Sequence, residues 1–350
     1  MVAEKIDRFF QIVVENNASD LHLQAGSIPV CRIEGELCFL QEAALTEAEM
    51  TGILDCLCEE KDEKTGRSSS EYQDFTCSKN FCRFRVHFFR SRAGSCLSFR
   101  SIPLVVPAFA SLGLPAGLLE LARKRHGLIL ITGATGSGKT TTAAALIDEL
   151  NQNSARHIIT LENPVEYLHA QKQSLISQRE AYADFSSYQV ALQAALREDP
   201  DVIFIGELRE RETVETALLA AETGHLVMAT MHTFDATEAL LRLESLFSAG
   251  EKEAVRMQLS FILQGIAAQQ LLPGCDGHRV CAVEFLYAVP AVRSLIREGR
   301  FSQILSQIQM GRSRGMQTMH MAIDNLQKNG KITKETARAY EKEALFTGDF

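Results

Sequence analysis

Gly133, then after four residues Gly138, Lys139 and Thr140, stand at a spacing that suits phosphate chemistry. They follow the apolar run 127–132 and open an alanine-rich helical pattern, the strand–loop–helix setting in which glycines let backbone N–H groups turn toward phosphate oxygens. Lys139 offers a point charge to the outer phosphates, and Thr140 a hydroxyl to Mg²⁺. The start of the following helix adds its positive end. The nucleotide contacts expected from this loop run through Gly133, Ala134, Thr135, Gly136, Ser137, Gly138, Lys139, Thr140 and Thr141. Such loops serve motors, switches, pumps and metabolic kinases alike, so further residues must say what the phosphate energy drives.

Three more stretches carry chemistry. "DVIFIGELRE" (201–210) reads as a buried strand whose end presents Glu207 to metal or water, with Gly206 where an Asp commonly stands. "TLENPVEY" (160–167) ends another strand; Pro164 breaks a helix there, which places Glu162 and Glu166 on a loop at the sheet's carboxyl edge, where α/β proteins bind ligands. A carboxylate in reach of a water can activate it. "GHLVMATMHT" (224–233) sets His225 and His232 at opposite ends of one strand, either structural or placed to sense a γ-phosphate. "RFRVHFFRSRAGSCLSFR" (83–100) interleaves five arginines with phenylalanines. A stacking surface for single-stranded nucleic acid and a solvated basic sheet face both fit that pattern, and the second is preferred.

The elements that must hold these residues fall into two patterns. Residues 1–100 read as an α+β domain. It begins with an amphipathic helix bearing Ile6, Phe9, Phe10 and Val13 on one side, and contains a helix behind the Thr46/Glu49 capping box. Its "FCRFRVHFF" strand (81–89) turns Phe84, Val86 and Phe88 inward and Arg83, Arg85 and His87 to water; 61–74 is polar and reads as a surface loop or a solvated helix end. Proline and small residues mark 101–115 as a linker. From 116 to 350, strands at 127–132, 157–162, 201–206, 225–230 and 279–289 alternate with helical patterns, and a helical tail follows. The first four are continuous apolar runs, as in a parallel sheet covered on both faces.

The chain has 350 residues, 46% hydrophobic, and a net charge of −8, which speaks against a surface devoted to nucleic-acid phosphates. No apolar run reaches the ~20 residues of a bilayer span, and the N-terminus lacks a signal peptide's apolar core, so a cytoplasmic protein is expected. Nine cysteines read as reduced thiols. The spacings Cys56-x-Cys58 and Cys77-x4-Cys82 suit zinc poorly, so no metal site beyond the nucleotide's Mg²⁺ is expected.

Together these stretches resemble the secretion ATPase superfamily, and within it the pilus retraction ATPases of the PilT family. The likeness covers nearly the whole chain in order: "ASDLHLQAGSIPVCRIEGEL" (18–37), "GATGSGKTTT", "ITLENPVEY", "ALREDPDVIFIGELRE", "AAETGHLVMATMHT", "AVRSLIREGR" (291–300) and "GMQTM" (315–319). The resemblance implies a PAS-like N-terminal domain, a RecA-like P-loop ATPase domain and a homohexameric ring binding ATP and Mg²⁺. It makes Glu166 the general base and Glu207 the acid near Mg²⁺, and gives His225 and His232 to the nucleotide site. Arg83, Arg85 and Arg100 fall in the segment that supplies arginines to phosphates, with Arg242 a weaker candidate. Implied partners are an inner-membrane platform protein, with the ring at that membrane's cytoplasmic face, and other pilus ATPases. Asn163 replaces an Asp of the family's acidic box, Glu210 an Asp and His320 an acid. The tetracysteine module of assembly relatives is absent, since only Cys275 and Cys281 lie in that half. This favours retraction. The alternatives are a nucleic-acid translocase and an accessory or assembly ATPase of a pilus or secretion system.

Overall fold

A computed structural model describes residues 2–33, 35–59 and 72–346. The chain divides into two compact units, Met1–Val105 with Pro164–Leu168, and Val106–Asn163 with His169–Phe350. The first contains α1 (Val2–Glu15), β1 (Asp20–Gln24), β2 (Val30–Ile33), β3 (Glu36–Phe39), α2 (Glu47–Glu59), β4 (Tyr72–Lys79), β5 (Cys82–Ser91) and β6 (Gly94–Ile102). The strands form an antiparallel sheet in the order β3-β2-β1-β6-β5-β4. Ile6, Phe9, Phe10 and Val13 of α1 are buried, and Phe10 stacks on Phe84, with ring centroids 4.4 Å apart. The capping box forms as expected: the Glu49 N–H donates to Thr46 Oγ1 at 3.2 Å, and the Thr46 N–H to Glu49 Oε2 at 2.8 Å.

Two local expectations change here. Arg83 does not face water; it is buried, and its guanidinium donates to Ser78 Oγ and to the Glu166 carbonyl oxygen. Hydrogen bonding, rather than alternation along β5, decides where this side chain goes. The polar stretch 61–74 lies mostly outside the described residues, and its last three residues, 72–74, open β4 instead of a loop.

The second unit contains α3 (Ala116–Ala122), β7 (Gly127–Thr132), α4 (Lys139–Asn153), β8 (His157–Glu162), β9 (Leu175–Glu180), α5 (Tyr188–Ala195) and β10 (Val202–Ile205). It continues through α6 (Arg211–Glu222), β11 (Leu226–Met231), α7 (Ala236–Ser245), α8 (Lys252–Ile262), β12 (Leu263–Pro273) and β13 (Arg279–Tyr287). The tail adds α9 (Pro290–Glu298), α10 (Ile304–Met310), α11 (Met319–Lys328) and α12 (Lys334–Phe346). One seven-stranded sheet runs β13-β12-β7-β11-β10-β8-β9, parallel except where β13 pairs antiparallel with β12. The apolar runs bury both faces: Leu128, Leu130, Ile203 and Ile205 belong to one core, Ile129, Ile131, Val202 and Phe204 to the other. Burial of each such side chain contributes roughly 1.5–3 kcal/mol.

Two strands, β9 and β12, were not expected. β12 follows α8 with no glycine or proline between them and carries Gln264, Gln269 and Gln270 within an otherwise apolar run. Tertiary partners make that tolerable. Gln264 accepts from Lys124 Nζ and donates to the His126 carbonyl, while Gln269 donates to Thr142 Oγ1.

Candidate nucleotide site

The loop between β7 and α4 has the backbone its glycines were read to permit. Gly133, Gly136 and Gly138 have φ of 146°, 80° and 89°. At Gly133 there is also no room: a Cβ would lie 2.4 Å from both the Gln269 carbonyl oxygen and Ser137 Oγ. Ala134, Thr135 and Gly136 form an exposed tip, while Lys139 is buried and donates from Nζ to the carbonyls of Gly133 and Ala134 at 2.7 and 2.8 Å. Thr140 and Thr141 follow in the first turn of α4. Thr132 Oγ1, Ser137 Oγ and Thr233 Oγ1 are buried here without a hydrogen-bond partner. Unpaired buried hydroxyls are costly, and phosphate oxygens are the acceptors that would satisfy them. The residues present fit a nucleotide's phosphates.

Beside this loop lies a cavity of about 470 Å³ lined by Thr135, Glu207, Arg209, His232, Glu238 and Arg242 among others. Glu207 follows β10 and His232 follows β11, two neighbouring parallel strands, so both arrive at the carboxyl edge. His232 Nδ1 lies 3.5 Å from Thr135 Oγ1, and its Nε2 lies 3.7 Å from Glu207 Oε2. Burial and the nearby Lys139 hold the imidazole below its usual pKa, with Glu207 opposing them. Neutral His232 is thus the form present at and above neutral pH. Arg209 lies 3.7 Å from Glu207.

Gly206 now has a physical reason. A Cβ there would come within 3.2 Å of the Leu161 carbonyl oxygen, 3.3 Å of Glu162 Cα and 3.4 Å of Tyr188 Oη. The Tyr188 phenol is itself pushed well above its usual pKa by burial and by Glu162 and Glu207. An aspartate at 206 would bring a further carboxylate into this group. Glu162 is not on a loop as expected; it closes β8, buried, and accepts from Thr160 Oγ1 at 2.7 Å.

Of the histidine pair, only His232 reaches the loop. His225 precedes β11, and its Nδ1 sits 3.0 Å from the Ala220 carbonyl while its own carbonyl accepts from the Gly127 N–H at the start of β7. A six-residue strand separates it from the phosphate loop, at ~3.3 Å per residue. Glu166, in Pro164–Leu168, belongs to the first unit, as do Arg83, Arg85 and Arg100. Arg85 and Arg100 are register partners on β5 and β6, and Arg100 pairs with Asp20 at 3.1 Å.

The family model for type II/IV secretion system proteins matches residues 1–345. The chain belongs to this secretion ATPase family, in its PilT branch. It is 40% identical over 329 residues to a Pseudomonas aeruginosa protein named "Type IV pilus retractation ATPase PilT", covering 94% of this chain and 95% of that one. It is 36% identical over 341 residues to "Type IV pilus ATPase PilU" of the same organism, covering 97% and 89%. A solved structure of the pilus retraction motor PilT with bound ADP superposes with a TM-score of 0.86 at 44% identity, over 94% of each chain. The chain is therefore an ATPase, and its α/β architecture, an N-terminal unit followed by an ATPase unit, is the one expected. Among the described residues no helix is long and apolar enough to cross a membrane.

Sequence reading missed Arg209, Glu238 and Tyr188. Arg209 sits two residues beyond Glu207, and Glu238 four before Arg242, so proximity along the chain was available as a signal. Tyr188 lies 18 residues before Gly206 on another helix, and only the fold brings them together.

Proposed function

We propose that this ATPase powers retraction of a type IV pilus, as a homohexamer acting on an inner-membrane platform protein from the membrane's cytoplasmic face. The observation that carries this reading is the end-to-end likeness to a relative named for retraction, 94% of this chain against 95% of that one. ATP would place its phosphates on the loop 133–141. Lys139, now bonded to the Gly133 and Ala134 carbonyls, would turn its N–H groups to the outer phosphate oxygens. Mg²⁺ held by Thr140, and through water by Glu207, would supply charge neutralisation on the β- and γ-phosphates. Neutral His232, 3.7 Å from Glu207, would close to hydrogen-bond distance to report the γ-phosphate to it. Glu166 takes the proton of the attacking water, and its loop is fixed by Arg83 on the Glu166 carbonyl oxygen, 2.9 Å away. Arg85, Arg100 and Arg242 are the further candidates for stabilising transferred charge.

The test pairs chemistry with cells. Lys139→Ala should abolish turnover, and Glu166→Gln should bind ATP and fail to hydrolyse it. Cells carrying Lys139→Ala should accumulate surface pili and lose twitching. Loss of pili would instead mean that the ring builds them, and normal turnover in Glu166→Gln would remove the base assignment. Asn163, where the family's acidic box has an Asp, supports a second reading, an accessory ATPase beside a stronger motor. A purified ring that binds ATP and barely turns it over would favour that reading.

A further inference from the structure

Glu284 lies in the middle of β13, opposite Ala268 of β12, and is only 4% exposed. Nothing in the ATPase chemistry above uses it. Its Oε1 accepts the N–H of Ala236, the first residue of α7, at 3.0 Å, and the backbone N–H of Met319, the first residue of α11, also donates to it. Two helices far apart in sequence thus begin on one carboxyl group. The start of α7 is fixed further by Asp235, whose Oδ1 accepts from the Glu238 N–H at 2.7 Å, and by Glu238, whose Oε2 accepts from the Phe234 N–H at 2.6 Å. α7 then delivers Glu238 and Arg242 to the cavity beside the phosphate loop. The start of α11 has its own cap, the Thr318 hydroxyl accepting from Met321 N–H. The residue before it, Gln317, is bonded backbone to backbone with Phe285, next to Glu284.

We propose that Glu284 is a positioning residue that fastens the first turn of α7, and with it Glu238 and Arg242 at the cavity, to the first turn of the tail helix α11. The proposal rests on reading that cavity as the nucleotide site. A carboxyl group that accepts from the first N–H of two helices satisfies donors that each helix would otherwise leave bare. Burial first, and the negative charge of Asp235 second, raise this group's pKa to about 7, while its two N–H donors pull the other way. Asp235 is the charged group that faces it from the α7 side. β12 presents Ala268, α11 presents the Met319 N–H with His320 turned outward and exposed, and α10 carries no titratable side chain. Burial outweighs the two N–H donors, so ionisation is disfavoured while the helix starts enclose the group and becomes easy once they open and hydrate it; the arrangement is firm below about pH 7 and loosens as the pH rises through it. The tail and the nucleotide cavity respond together.

Hydrogen exchange of the full-length protein between pH 5.5 and 8.5, corrected for intrinsic rates, tests this alongside MgADP affinity in the same buffers. In the wild type, protection of 233–242 and of 318–323 should fall together as the pH rises through about 7, and MgADP affinity should fall with them by roughly fivefold or more. Glu284→Gln keeps an acceptor and loses the titration, so all three traces should be flat across that window. Asp235→Asn is the second variant, because Asn retains the N-cap and removes the repelling charge. There the joint transition should move to lower pH. Helix starts that respond independently, or a wild-type profile in Glu284→Gln, would overturn the proposal. So would coupled helix starts with an unchanged affinity. Joint protection in a protein that binds no MgADP at any pH would remove the nucleotide reading of the cavity and leave the coupling of the two helices standing.

Discussion

At the scale of single residues, the site is governed by which groups are kept neutral. His232 is the clearest case: burial and Lys139 depress its pKa, so the ring is uncharged at the pH where Thr135 and Glu207 need a hydrogen-bonding partner that does not repel Lys139. The sign is fixed by that direction. As pH falls below the usual imidazole value of ~6.5, the ring gains a charge that burial and Lys139 disfavour, and its Nδ1, then an N–H, can no longer accept from Thr135 Oγ1. The rate of ATP hydrolysis at saturating Mg²⁺ should therefore fall on an acid limb lying below that value, and His232→Asn should lack that limb while keeping any transition near pH 7. An acid limb unchanged in His232→Asn would sink the assignment. His225, its apparent twin in the sequence, should give no such effect, since its partner is the Ala220 carbonyl.

At the scale of elements, half-buried arginines close helix ends that would otherwise leave carbonyls bare. Arg293 of α9 donates from Nη1 to the carbonyls of Ser260 and Phe261, at 2.5 and 2.7 Å, and from Nη2 to that of Leu263 at 2.8 Å. These are the last turn of α8 and the first residue of β12. Arg156 does the same for α3, donating to the Arg123 and Lys124 carbonyls at 2.7 and 3.0 Å. Both guanidiniums sit at the negative ends of helices, where a cation is favoured. Arg293→Met should cost about 1–3 kcal/mol, because it removes one charged donor group from three carbonyls, two of them part-buried. Chemical denaturation checks this, and a midpoint shift equivalent to less than about 1 kcal/mol would mean that the carbonyls find other donors. "AVRSLIREGR" was legible as a tail segment, but nothing in it distinguishes the inward Arg293 from the exposed Arg300. The same limit explains the strands. Apolar runs such as 127–132 and 157–162 declare themselves because both faces are buried. β12 did not, because Gln264 and Gln269 find their partners in Lys124 and Thr142, residues more than 100 positions away, while Gln269 Oε1 and Gln270 Oε1 stay buried without a hydrogen bond. The phosphate loop and Glu207 were legible because phosphate chemistry constrains residue type and spacing together. Arg83 was misread because its partner, the Glu166 carbonyl, is 83 residues distant.

At the scale of the whole molecule, the division of the chain bears on how hydrolysis is organised. The phosphate loop, Glu207, His232 and Arg242 belong to one unit, while Glu166 and the three N-terminal arginines belong to the other. The groups proposed for one reaction are thus carried by two units of the chain, and in the proposed ring they need not come from the same chain. Independent sites and coupled sites give different arithmetic. If wild-type chains are co-expressed with increasing fractions of Lys139→Ala chains and the mixed rings purified, independent sites lose activity in proportion to the dead fraction. Sites that need a neighbour to complete or trigger them lose it more steeply, since each dead chain also silences a live one. The steeper curve is expected here, together with a mass of six chains in solution. A linear decline in rings of that mass would show that each chain completes its own site, and the arginines of the first unit would then have to act within the chain that carries them.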